Sequence, residues 1–328
     1  MAPESQPVLP EIERILFRSE LVTIGEFRCP REHPRFHDTG PIENHCFVFP
    51  RSSVTIEHEH ARPIVTNATV VTIYNRGQRY RRGAISACGD RCDWFGVQEE
   101  LARDVVRRFD PSVDERAEGP FALTHGRSDA ALYLRQRRLF ERAAAGAALD
   151  ALAVEERVIE LLESVLGRTH ARPAPERTAR GDATYHVERL LSARFGEDLK
   201  LADLAREVGL SVYHLSRTFR RETGLTLHHY RHQLRLRHGI EPLRHGSRSL
   251  AELALALGFS SHSHFSSAFR REFGLSPSEW RAAGTSAPRA RQSRYVTANQ
   301  RGGSRSRQLT RSKTASGFAS RPSSEMHT

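Results

Sequence analysis

Three groupings of residues in this chain have types and spacings that could do chemistry. In IEHEH (56–60), His58 and His60 are two apart, which on a strand puts both rings on one face, as at the start of a metal site. A closed or catalytic set needs three or four ligands. ARPIVTN follows His60 with no glutamate, so no metal is expected there. In CGDRC, Cys88 and Cys92 suggest a redox pair or, with Cys46, a soft-metal site, but their C-x3-C spacing is not the usual C-x2-C, and they read as buried structural thiols. The third grouping is GFSSHSHFSSAFRREFG (258–274), dense in serine, histidine and arginine. On a helix, His262 and His264 lie about 200° apart around the axis, so they make a poor metal pair. Their polar neighbours suit a different task, hydrogen bonding to an external partner. His33 and His37 straddle Pro34 and need not converge. No Walker loop, Rossmann glycine pattern or G-x-S-x-G elbow occurs. The expectation is a non-enzyme with no catalytic residues, metal or cofactor.

The third grouping belongs to a repeat. LADLAREVGL (201–210) aligns with LAELALALGF (250–259) at an offset of 49. SVYHLSRTFRRETGL (211–225) aligns with SHSHFSSAFRREFGL (261–275) at an offset of 50, so the second turn carries one extra residue. Each unit has a short helix with Leu204-Ala205 or Leu253-Ala254, closed by Gly209 or Gly258, where a positive φ is needed. Ser211 or Ser261 then suits an N-cap. The next helix buries Leu215 and Phe219, or Phe265 and Phe269, at i, i+4, and ends at Gly224 or Gly274. Helix, glycine turn, helix is a helix-turn-helix. SLAE (249–252) and SPSE (276–279) read as capping boxes, with Pro277 at a first helical position and Trp280 as an anchor. The joining helix, 226–246, contains Gly239 and Pro242. A proline inside a helix costs roughly 3 kcal/mol, so a kink near 238–242 or two shorter helices are expected.

These residues resemble the AraC/XylS family of bacterial transcription regulators, above all in LALALGFSSHSHFSSAFRREFGLSPSEWR. The resemblance covers residues 184–282. It implies two helix-turn-helix units whose second helices enter successive major grooves of double-stranded DNA. Carried over by position, the reading residues are Tyr213, Ser216, Arg217 and Arg220 in the first unit. In the second they are His262, Ser263, Ser266 and Ser267, with Arg270 toward the backbone. Arginine can grip guanine bidentately, so Arg217 is the leading base reader, and Ser267 in its place on the second helix reaches less far. RNA polymerase is implied as a partner, with activator or repressor left open.

The elements before the repeat must position and control it. Residues 20–97 alternate short β-branched and aromatic runs with Pro, Asn and Gly, as a sandwich or barrel does. From residue 98 the period becomes helical. Leu152, Val158, Leu161, Leu162, Val165 and Leu166 share a face that Gly167 should end. The expected fold class is therefore α+β, with an N-terminal β-sandwich plus helices and an all-α C-terminal domain. More weakly, residues 1–97 resemble the family's cupin-like sensor, implying a small-molecule effector, and 98–166 its dimerisation helices, implying a homodimer. Residues 167–183 read as a linker, 184–282 as the DNA-binding domain and 283–328 as a disordered basic tail. Charge divides the same way. Residues 184–282 hold 15 Lys/Arg against 10 Asp/Glu and 283–328 hold 9 against 1, while 1–183 are net −2. A basic rear suits a polyanion. No apolar run is long enough to span a membrane, no secretory signal is visible, and four cysteines suit a reducing cytoplasm.

Overall fold

The computed structural model describes residues 12–59, 61–146, 148–171, 181–246 and 248–285. The expected basic tail, apart from its first residues, lies outside them, as does His60. The N-terminal half begins with β1 (Glu13–Arg18), β2 (Val22–Cys29), β3 (Asp38–Thr39), β4 (His45–Pro50) and β5 (Val54–His58). It continues through β6 (Ile64–Thr66), β7 (Val70–Tyr74), β8 (Tyr80–Ala84) and β9 (Asp90–Val97). Then come α1 (Glu99–Arg107), β10 (His125–Arg127), α2 (Ala130–Ala144) and α3 (Ala151–Ala171). Six strands form an antiparallel sheet in the order β1-β2-β9-β4-β7-β10, and four form a second in the order β3-β8-β5-β6. The helical stretch after residue 97 thus returns one strand, β10, to the larger sheet, pairing with β7.

Alternation along the strands sorts the larger sheet into two faces. Ile24, Phe47, Phe49, Val71, Ile73 and Phe95 join one buried core with residues of α1, α2 and α3. Their neighbours Cys46, Tyr74 and Trp94 form a separate cluster on the opposite face. That second face borders a cavity of about 600 Å³, walled also by Val54 and Ile56 of the smaller sheet.

One helix boundary differs from expectation. α3 runs through Gly167 to Ala171, so the expected linker starts inside it. Gly167 lies against the Phe109 ring, and buried Thr169 donates to the Val165 carbonyl, so packing carries the helix past the glycine. The leucine-rich stripe of α3 is also spent within the chain. Val158, Leu161, Leu162, Val165 and Leu166 are buried in the N-terminal core, and only Leu152 of the expected face is exposed.

The C-terminal half comprises α4 (Gly181–Ala193), α5 (Leu201–Glu207), α6 (Val212–Thr223), α7 (Leu227–His245), α8 (Leu250–Ala256), α9 (His262–Phe273) and α10 (Pro277–Thr285). α7 is one helix of 19 residues, correcting the alternative of two shorter ones. Pro242 lies in its last turn, and Gly246 donates to the Pro242 carbonyl to close the helix. Gly239 has a packing reason: a side chain there would meet Leu257 at 2.9 Å, so the glycine lets the second unit close on α7. The halves are tied by buried polar contacts. Asn67 Nδ2 donates to Ser192 Oγ (3.0 Å) and Tyr230 Oη (2.7 Å). Arg237, 1% exposed, donates to the Ala68 carbonyl. A charged band also crosses the junction. Arg14, Arg28 and Arg51 share Glu26, and Arg51 also reaches Asp93 and Glu241. Arg137 pairs with Asp93 and Glu141, Arg244 with Glu141, and Arg91 with Glu241. Burial alone would raise the Glu241 carboxyl, but Arg51 and Arg91 overcome it and hold the group down to about 2.

Candidate nucleic-acid interface

The two repeated units are built alike. Ser211 accepts from the His214 amide and Ser261 from the His264 amide, each satisfying an orphan donor at a helix start. Gly224 and Gly274 end α6 and α9 at φ 70° and 75°. The preceding turns carry Gly209 and Gly258 at φ 65° and 81°. Exposed, half-buried and buried positions from Ser211 to Gly224 recur one for one from Ser261 to Gly274. Leu215 and Phe219, or Phe265 and Phe269, are fully buried and hold each helix to its unit. The box at Ser249/Glu252 is formed, and Ser276 and Glu279 exchange the same two bonds. Trp280 is buried and donates to the Ile240 carbonyl, fastening α10 to α7.

What remains outward differs between the helices. On α6, Tyr213, Arg217 and Arg220 are exposed and Ser216 is half-buried. Arg217 Nη1 donates to Tyr213 Oη (2.8 Å), and its guanidinium stands 5.6 Å from the tyrosine ring. The ring thus holds the arginine extended along the helix face. On α9, His262, Ser263, Ser267 and Arg270 are exposed and Ser266 is half-buried. His262 Nε2 and Ser266 Oγ bond each other at 3.2 Å. All nine expected reading residues therefore lie on these two helices, none with a fully buried side chain.

A histidine group beside α9 was not singled out from the sequence, although HHYRH (228–232) repeats the residue type at i, i+4. His228 and His232 stack at 5.9 Å, and His232 lies 6.5 Å from His264. Burial, then His228 and Arg271, lowers the His232 pKa to about 4.

The other candidate chemistry disperses. Among the described residues, no three His, Cys, Asp or Glu side chains come together to hold a metal. His58 is buried against Tyr74, its ring nitrogens without hydrogen-bond partners, and burial lowers its pKa to about 4. Cys92 is a buried thiol as expected, and Cys29 and Cys46 are buried too, but Cys88, also expected to be buried, is exposed because it sits in the turn before β9. Burial pushes the Cys46 thiol up to about 12, which makes it unreactive. His33 and His37 bond separate partners, the Arg35 amide and the Arg82 carbonyl.

The sequence model of a family described as a helix-turn-helix domain matches residues 204–283. The transcriptional activator RhaR of Klebsiella pneumoniae is 36% identical over 91 residues, 28% of this chain and 32% of the relative. RhaS of the same species is 26% identical over 249 residues, 71% of this chain and 89% of the relative. The chain carries an AraC-type helix-turn-helix domain. The matched region, residues 204–283, holds both repeated units except the first residues of α5. Most of the curated relatives match over about a third to a half of their length. An AraC-type regulator from Chromobacterium violaceum is 33% identical, covering 34% of this chain and 98% of that one at a TM-score of 0.31. ToxT of Vibrio cholerae is 11% identical, covering 80% and 98% at 0.35. Among the described residues, no helix is long and apolar enough to cross a membrane.

Proposed function

We propose that this chain binds a specific DNA sequence by setting α6 and α9 into successive major grooves on one face of the duplex, and thereby controls transcription in the cytoplasm. The observation that carries the reading is the exact recurrence of caps, glycine ends and exposed faces in two units 50 residues apart. One turn of B-DNA separates equivalent grooves by about 34 Å, which a two-headed domain on a continuous α7 can match. Arg217 reads a guanine, while Ser263, Ser267 and His262 make shorter contacts, with Arg220 and Arg270 near the phosphates. RhaR and RhaS are named activators, which favours activation and a contact with RNA polymerase. The N-terminal half serves as the sensor, with the cavity between its sheets as the place for a small-molecule effector. Homodimerisation has less support than the sequence suggested, since the α3 stripe is covered by the chain itself.

Selection of bound sequences from a random duplex library tests the reading. Two half-sites about 10–10.5 base pairs apart are expected. Uniform recovery of all sequences would contradict it. Removing residues 283–328 should weaken binding to every sequence and lower its salt dependence while leaving the preferred sequence unchanged.

A further inference from the structure

A cleft of about 1520 Å³ opens where the two halves meet, distinct from the cavity between the sheets. Its walls come from β1 and β2, from α2 and α3, and from the end of α7 with α10. Ten arginines line it against four glutamates. The charged band at its floor does not neutralise this excess, because six arginines share four carboxylates there. Among the described residues, no carboxylate pairs with Arg138, Arg142 or Arg281, which add to the rim. Arg281 spends its donors on the Leu243 and Arg248 carbonyls.

The decisive side chain is Arg244. It is only 6% exposed, its guanidinium lies 3.9 Å from the Trp280 ring, and its one carboxylate, Glu141, is shared with Arg137. Its Nη1 is buried with no hydrogen-bond partner. A guanidinium taken out of water needs an anion and a full set of acceptors, or the burial is strongly unfavourable. Planar N–H pairs facing a half-dry cleft match the oxygens of phosphate or carboxylate groups.

We propose that this cleft is a binding site for a small, multiply charged oxyanion, a phosphate ester or a polycarboxylate, which bridges the sensor half and the second helix-turn-helix unit. None of the nine proposed reading residues lines the cleft, which sets it apart from the proposed reading faces of α6 and α9. Contact with α2 on one side and with α7 and α10 on the other means that binding favours the docked arrangement of the halves.

Titration calorimetry of the full chain with pyrophosphate and, separately, with citrate tests the proposal, at constant ionic strength in chloride. Saturable one-site binding is expected, and the tighter anion identifies the ligand class. Arg138→Ala/Arg142→Ala, at exposed positions, should weaken it at least tenfold without moving the anion-free unfolding midpoint. Arg244→Met should abolish it, and if that variant fails to fold the surface pair still decides. Absence of saturable heat with both anions would overturn the proposal. So would unchanged affinity in the surface pair, or competitive displacement of pyrophosphate by a duplex of arbitrary sequence.

Discussion

Where α6 carries Tyr213 and Arg217, α9 carries Ser263 and Ser267, although burial along the two helices matches position by position. The pattern of burial is shared, although the residues that fill it are not all the same. The buried positions keep Phe219 and Phe269, the caps keep Ser211 and Ser261, and the ends keep Gly224 and Gly274. Divergence falls inside, where Leu215, Thr218 and Thr223 become Phe265, Ala268 and Phe273, as well as outside, where Val212, Tyr213 and Arg217 become His262, Ser263 and Ser267. On α6 the tyrosine props a long cation forward. On α9 the outward histidine and serine satisfy each other. Under the proposed function, the first head reaches a base edge and the second lies close to the groove.

The comparison breaks first at the scaffold. Phe219→Ala and Phe269→Ala should each cost about 3–5 kcal/mol, because each empties a fully buried site. Denaturant unfolding of both variants checks this. Losses differing by more than a factor of two would show that the units are not equivalent inside. Next comes the reading surface. Ser267→Arg should give the second head a new base preference worth about 1–3 kcal/mol at one position, measured by binding to a panel of single-base operator variants. A uniform gain across the panel would mean that the new arginine meets phosphate. The caps give a smaller effect. Ser211→Ala and Ser261→Ala should each cost about 1 kcal/mol of stability, by thermal unfolding. The smallest effect is with pH and falls on the second unit. The folded-state pKa of His232, at about 4, lies below its unfolded value of 6.5. Its contribution is therefore complete above pH 6.5 and is lost as pH falls toward 4, where the unfolded chain takes the proton first. Amide exchange at pH 5 should show α9 losing protection before α6, and the reverse order would contradict it.

The repeat, caps and anchors were legible because each rests on local chemistry: a serine three residues before an amide, a glycine where φ is positive, a phenylalanine every fourth residue. The rest depends on tertiary contact. Gly167 reads as a helix end until Phe109 lies across it, and Pro242 reads as a break although α7 runs through it to His245. The α3 stripe looks like a seam for another chain because sequence cannot say which surface covers it; β10 and α1 of the same chain do. Asn67, Arg237 and Arg244 give no signal in isolation, since each acquires its role from residues far away in the chain.

The central claim is that base reading is concentrated in the first head through Arg217. Affinities of the wild type and Arg217→Ala for every single-base variant of the selected operator test it most directly. A loss of about 1–3 kcal/mol confined to the preferred sequence, with discrimination relaxed at one base pair of one half-site, is predicted. An equal loss on every sequence would make Arg217 a phosphate contact and contradict the account.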